Sequence, residues 1–273
     1  MRNTNRLTKL TRRGFLVLAA GGAAGIAYVK ERGGPVPKIL PPQRYQAAQP
    51  VPTATDANFV PIFVKPSQVL DLTDWRLNLP TNEQQVSQPA LAGFHDDAFR
   101  VVEAVQFTAS CGQEPVPGSK FPRSELREMN PDGSKAAWPT TSGVHRMDLT
   151  QRITHLPVVV PKLVCGQIHG AAAPDYLILV ALDGQRLYVK YKNSVAGVLD
   201  QNYQLGTYFD LAIQVSGGYA DVFYNGAHLV HQAMAEDQCY FKAGCYLQSN
   251  TSLGDLPTAY GQVEIAGLVL SHS

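Results

Sequence analysis

This chain lacks an excess of charge of either sign. Lys and Arg number 23 and Asp and Glu 22, a formal net charge of +1 over 273 residues. No general field therefore draws nucleic acid or an anionic membrane, and an anionic ligand must meet a local basic site. Cysteine is scarce too, at four residues: Cys111, Cys165, Cys239 and Cys245. Their spacing resembles no zinc site, and no neighbouring histidines complete one. Cys239 and Cys245 read as parts of one strand, about 20 Å apart at ~3.3 Å per residue, which is too far for a mutual disulfide. The even count otherwise leaves two, one or no disulfides open. No apolar run reaches the ~18 residues expected of a membrane-spanning helix. Helical periodicity is absent as well, except in "LVHQAMAED" at 229–237, which can hold a short helix. No repeat recurs at a fixed period, which excludes solenoids and propellers.

What the chain does hold is turn residues and aromatics: Gly 23, Pro 19, Tyr 12 and Phe 10, a composition suited to a β protein. Short β-rich runs follow one another. They are "AFRVVEAVQFTA", "SGVHRMDL", "KLVCGQIHG", "DYLILVAL", "RLYVKYK", "YFDLAIQVS", "YADVFYNG", "CYFKAGCYLQ" and "GQVEIAGLVLS". Turns such as "LDGQ", "SGGY" and "YNGA" separate them. The pattern predicts an all-β fold, a jelly-roll sandwich of two antiparallel sheets.

The N-terminus reads as an address. Arg12 and Arg13, then Phe15-Leu16 and a weakly apolar Ala/Gly run, match the twin-arginine export pattern over residues 1–34. Residues 35–65 are rich in proline and read as an extended linker. One folded domain is expected over 66–273. The expected location is periplasmic or extracellular, with membrane contact only through an uncleaved signal.

Alternation assigns faces. In "FPRSELREM", Arg123, Glu125 and Arg127 share one side and Ser124 and Leu126 the other. Unpaired charges cost several kcal/mol each in a dry core, so the charged side is either solvent or a groove. "CGQIHG" sets Gln167 and His169 against Ile168. "YFKAGCYLQ" sets Tyr240, Lys242, Tyr246 and Gln248 against Phe241, Ala243, Cys245 and Leu247. Singly, each has a plainer reading: a charge ladder, a hydrogen-bonded strand histidine, a half-buried aromatic. Trp75 and Trp138 read as core, His228 and His231 as a turn pair, and His95, His145 and His155 as histidines without partners.

Together, "RSELR" at 123–127, "QIH" at 167–169 and "YFKAGCY" at 240–246 resemble, in order, the three signatures of polysaccharide lyase family 7, the alginate lyases. "LDLTDWRLNLP" at 70–80 is similar to the family's first strand, and Leu247 departs from an asparagine found in many relatives. The resemblance covers roughly 66–273. It implies a substrate groove on the concave sheet and cleavage of a 1,4-linked uronate polymer by β-elimination. It assigns carboxylate neutralisation to Arg123 and Gln167, and proton transfer to His169 and Tyr246. Glu125, Arg127, Tyr240, Lys242 and Gln248 are then substrate-binding, with Glu125 holding the arginines. The chemistry supports these types. The C5 proton is barely acidic beside an ionised carboxylate until fixed donors neutralise it, and an arginine fork fits a carboxylate. A phenol near ~10 suits proton donation and a neutral imidazole suits acceptance. Ile168 in "QIH" resembles relatives that accept guluronate. No metal and no organic cofactor is expected. The expected partner is alginate, acted on by a monomer. Another polyuronate such as glucuronan and a non-catalytic carbohydrate-binding jelly roll stay open. A sandwich glycoside hydrolase is disfavoured, because no strand carries its paired carboxylates.

Overall fold

The computed structural model describes residues 64–81, 85–170 and 176–273. The twin-arginine segment and nearly all of the proline-rich linker lie outside them. Among the described residues fifteen strands follow one another, with three short 3₁₀ turns, one before β1 and two between later strands. They are β1 (Trp75–Asn78), β2 (Gln85–Val86), β3 (Phe99–Val101), β4 (Val105–Ser110), β5 (Arg123–Glu128), β6 (Val144–His155), β7 (Lys162–Gly170) and β8 (Tyr176–Asp183). Then come β9 (Arg186–Tyr191), β10 (Ser194–Asp200), β11 (Phe209–Ser216), β12 (Tyr219–Tyr224), β13 (Ala227–Ala233), β14 (Cys239–Leu247) and β15 (Tyr260–His272).

Two antiparallel sheets result: eight strands ordered β10-β9-β8-β7-β14-β5-β1-β2, and seven ordered β13-β12-β11-β6-β15-β4-β3. The period-2 pattern explains their stacking. Leu77, Leu126, Ile168, Phe241 and Cys245 point inward from the first sheet. They meet Phe107, Met147, Ile213, Val263 and Ile265 from the second, all at 0 % exposure. Between β12 and β13, Asn225 and Gly226 take φ of 49° and 81°. Those are the left-handed values that a two-residue hairpin with matching twist demands. The result is the jelly-roll sandwich the strand pattern predicts.

Three local expectations change. The stretch 229–237 forms no helix; its first residues belong to β13, an edge strand whose Val230 is buried and whose neighbours face out. Pairing with β12 holds this stretch extended, whereas a helix of so few residues is marginal on its own. β6 runs to 12 residues because it is paired on both sides by β11 and β15. The histidines read as solitary are not without partners: the His145 ring stacks on Trp138 at 4.4 Å with its Nδ1 2.8 Å from His272 Nδ1, His155 lies against Tyr260 at 4.6 Å, and His95 is engaged as well. Trp75 and Trp138 are core, as expected, and all four cysteines are free and buried.

Candidate active site

The site lies on the face of the eight-stranded sheet turned away from the core, where β5, β14 and β7 are adjacent. Register sets its layout. Arg127 pairs with Lys242 and Lys242 with Gln167; Tyr240 pairs with His169; Arg123 pairs with Tyr246. Tyr240 and His169 thus mark one end of this stretch and Arg123 and Tyr246 the other, with Gln167, Lys242 and Glu125 between. Gly244 makes the arrangement possible. It sits across from Glu125 at φ 132°, and a Cβ there would lie 2.7 Å from the Ser124 carbonyl oxygen. A side chain is therefore excluded where strand irregularity lets β14 and β7 differ in register between Ala243 and Tyr246.

The charged face is buried rather than solvated. Arg123 is 8 % exposed, Glu125 1 %, Arg127 7 %, Gln167 1 % and Lys242 3 %. Buried charges of this kind persist only when paired. Glu125 is the hub: its carboxylate accepts from Arg123 Nη1 at 3.1 Å, from Lys242 Nζ and from Gln167 Nε2. Arg127 does not join it, contrary to the expectation that Glu125 holds both arginines. Arg127 instead stacks on Tyr240, with its Cζ 3.9 Å from the ring centroid and Nη1 donating to the Glu128 carbonyl at 3.0 Å.

Burial opposes ionisation of Glu125, but Lys242 and Arg123 outweigh it and hold the carboxyl below its usual range. Burial likewise pushes Lys242 down, to about 8, with Arg123 adding repulsion and Glu125 pulling the other way. One carboxylate thus faces two direct cationic partners, and the cluster keeps a surplus of positive charge. Arg123 Nε also has no hydrogen-bond partner among the described residues although it is buried. Surplus charge and an unused donor suit an incoming carboxylate.

Tyr246 is half-buried and packed against Arg123, whose Cζ lies 3.8 Å from the ring centroid. Ser119 Oγ links the two, accepting from Arg123 Nη2 at 2.5 Å and lying 3.2 Å from the Tyr246 hydroxyl. His169 Nδ1 is 3.0 Å from the Gly170 carbonyl oxygen and 2.8 Å from the Tyr240 hydroxyl. Burial raises Tyr240 above its ordinary value, with Arg127 opposing. Gln248 turns back on its own strand: its Nε2 donates to the Leu247 carbonyl at 2.7 Å.

Sequence reading missed two contributors. Arg76 pairs across β1 with Arg127, and burial followed by Arg127's charge lowers it. Ser119 lies in a loop before β5, where no alternation could reveal it. Beyond Val164, an apolar patch of Leu179, Ala181 and Tyr188 extends the face across β8 and β9. There Lys162 and Arg186 flank the Tyr188 ring at 5.6 and 5.2 Å, giving cations and aromatic faces along a polymer's length.

Known proteins share this fold. A family model described as alginate lyase matches residues 70–272. The solved structure of alginate lyase AlgAT5, from polysaccharide lyase family 7, is 46% identical with a TM-score of 0.75, covering 77% of this chain and 99% of that one. The alginate lyase from Corynebacterium sp. is 37% identical with a TM-score of 0.74 and the same coverages, 77% and 99%. The family 7 alginate lyase A1-II' was solved in complex with substrate GGMG after one histidine was changed to asparagine and one tyrosine to phenylalanine. It is 27% identical with a TM-score of 0.65, covering 77% of this chain and 97% of that one. No curated protein matches. With its fold, its buried cationic floor and its three ordered motifs all in place, the chain belongs to the alginate lyases of polysaccharide lyase family 7, enzymes that cleave by β-elimination.

Proposed function

We propose that this lyase acts on guluronate-containing stretches of alginate, with mannuronate a weaker substrate, and that Arg123, Gln167, His169 and Tyr246 carry the reaction. The observation that supports this most is the surplus cationic charge around Glu125, with Arg123 Nε left unused. A uronate carboxylate placed there accepts from Arg123 and from the second amide hydrogen of Gln167, whose first is engaged by Glu125. That spreads the charge which develops when the C5 proton leaves.

Proton transfer follows from chemistry at the two ends of the floor. A carbonyl only accepts, so the contact from His169 to Gly170 O puts the ring hydrogen on Nδ1 and leaves the lone pair on Nε2. Nε2 takes the C5 proton; the electron pair forms the C4–C5 double bond as the C4–O bond breaks. The leaving oxygen takes the Tyr246 hydroxyl proton, and the products are an unsaturated uronate and a new chain end. In guluronate the C5 hydrogen and C4 oxygen lie on opposite sides, so base and acid approach from two directions. In mannuronate they share a side, and one tyrosine can serve both. A histidine and a tyrosine are also the residues changed in the relative solved with GGMG. Ile168, fully buried beneath Gln167 and His169, is the packing partner that sets how they project.

Initial rates on purified polyguluronate and polymannuronate, followed by the ultraviolet absorbance of the conjugated product, test the reading. A clear preference for polymannuronate overturns it. The proposed route to substrate is twin-arginine export, with residues 35–65 as tether; a fusion of residues 1–34 to a reporter that requires this pathway checks it.

A further inference from the structure

The outer face of the seven-stranded sheet carries a second cluster that elimination does not use. Asp221 on β12 lies directly opposite His231 on β13. His228 and His231 are three residues apart, so a regular strand would send them to opposite faces. A bulge intervenes: Val222 pairs with Val230 but Phe223 pairs with His228, leaving Leu229 as the extra residue. The bulge returns His228 to the face of His231, and both rings converge on Asp221. Asp221 Oδ1 accepts from His228 Nε2 at 2.8 Å and from His231 Nδ1 at 2.7 Å. The ligand atoms of the three all lie within 4.8 Å of one another.

Both rings are held from behind. His231 stacks on Tyr219 at 4.4 Å with planes 11° apart, and His228 stacks on Phe223 at 4.8 Å and 26°. The nearest cation in the same cross-strand row, Arg146, is already engaged by Asp148 through Nε at 2.7 Å and Nη2 at 2.6 Å. The edge of the site is open to solvent, with the histidine side chains 47% and 56% exposed and Asp221 16%.

We propose that Asp221, His228 and His231 form a site for a borderline divalent cation of the zinc class, which clips the edge strand β13 to β12. Two imidazoles and one carboxylate are the donor set such ions favour over calcium or magnesium. An ion with bonds of ~2.0–2.1 Å sets tetrahedral ligands about 3.3 Å apart, so the two contacts to Oδ1 open by about half an ångström while the two ring nitrogens, within 4.8 Å of each other, settle to the same spacing. The ion takes the place of the two ring hydrogens now directed at Oδ1, each imidazole then carrying its hydrogen on its other nitrogen, and water completes the shell. The bulge matters to this reading, since without it only one histidine faces Asp221.

The test uses the full chain without a histidine tag and zinc chloride as the probe. Calorimetric titration is expected to show one equivalent bound with micromolar affinity, and zinc is expected to raise the thermal midpoint. His228→Ala/His231→Ala weakens binding by at least about tenfold, since even second-shell changes cost that much, and abolishes the midpoint shift. Asp221→Asn, which keeps the shape and hydrogen bonds, serves as the second variant and weakens binding as well. Zinc binding equal in wild type and both variants, or no stoichiometric binding by wild type, overturns the proposal. Elimination by chelator-treated enzyme keeps its original rate, because the trio stands on the sheet opposite the groove; a rate restored only by zinc overturns the clip assignment.

Discussion

Glu125 and Glu128 lie on one strand, β5, and on opposite faces of one sheet, and each is nearly inaccessible at 1 % and 2 %. Their surroundings differ completely. Glu125, on the groove face, is compensated by the cations Arg123 and Lys242 and by the Gln167 amide. Glu128, on the core side with Trp75 and Leu126, is held by N–H donors. Trp138 Nε1 reaches both oxygens at 3.1 and 3.0 Å, the Phe241 amide donates at 2.7 Å, and His272 Nε2 lies 3.0 Å away. Burial therefore does not separate the two carboxylates; the kind of compensation does. N–H donors exhaust the acceptor and close the account around Glu128. Cations leave a surplus of charge around Glu125 that a second anion can use.

Four experiments break or sharpen this contrast. The largest effect belongs to the groove face alone: Tyr246→Phe keeps the ring stacked on Arg123 and removes only the proton-carrying hydroxyl. Its kcat is expected to fall by about 10²–10⁴-fold, with fold and alginate binding intact. Near wild-type turnover, measured by product absorbance, removes Tyr246 from the mechanism.

Next comes Glu125→Gln, which strands two buried cations. Denaturant unfolding is expected to show a loss of about 3–5 kcal/mol, the usual cost of removing one partner from a buried pair. A loss under about 1 kcal/mol would place the pair among solvated surface bridges and erase its side of the comparison.

Glu128→Gln sets an amide NH₂ against donors and should cost about 1–3 kcal/mol through unsatisfied groups. Its KM for alginate should stay at the wild-type value. A raised KM with unchanged stability would mean that the two glutamates serve one site.

The smallest effect is a pH dependence. Lys242, pushed down to about 8 by burial and then by Arg123, loses its charge as pH rises through that value. The groove's surplus cation is then diminished, so KM for the polyanion should climb above pH about 8 and level off below it. Lys242→Arg, which stays protonated, should flatten that limb while wild type keeps it; identical profiles in the two would remove Lys242 from substrate binding.

Much of this was legible in the linear chain, for a specific reason. Strands alternate with period two, so writing Arg123, Glu125 and Arg127 against Ser124 and Leu126 already separates groove from core. The same holds for Tyr240, Lys242 and Tyr246. What alternation could not supply was the identity of the partners across strands. Glu125 was expected to hold both arginines, but Arg127 is two residues on and is taken by Tyr240, whereas Lys242 comes from β14. Arg76 stayed invisible because only the pairing of β1 with β5 places it beside Arg127. His145 looked solitary for the same reason, its partners being 127 residues away on β15 and, through Trp138, beyond β5.

Local composition and period determined the all-β class and the inward and outward faces of the strands, because those follow from sterics and burial within single strands. The tertiary structure alone decided which charge meets which, where a bulge re-aims a histidine, and why Gly244 tolerates no side chain. Those depend on register between strands far apart in sequence, and register is settled by the packing of both sheets at once.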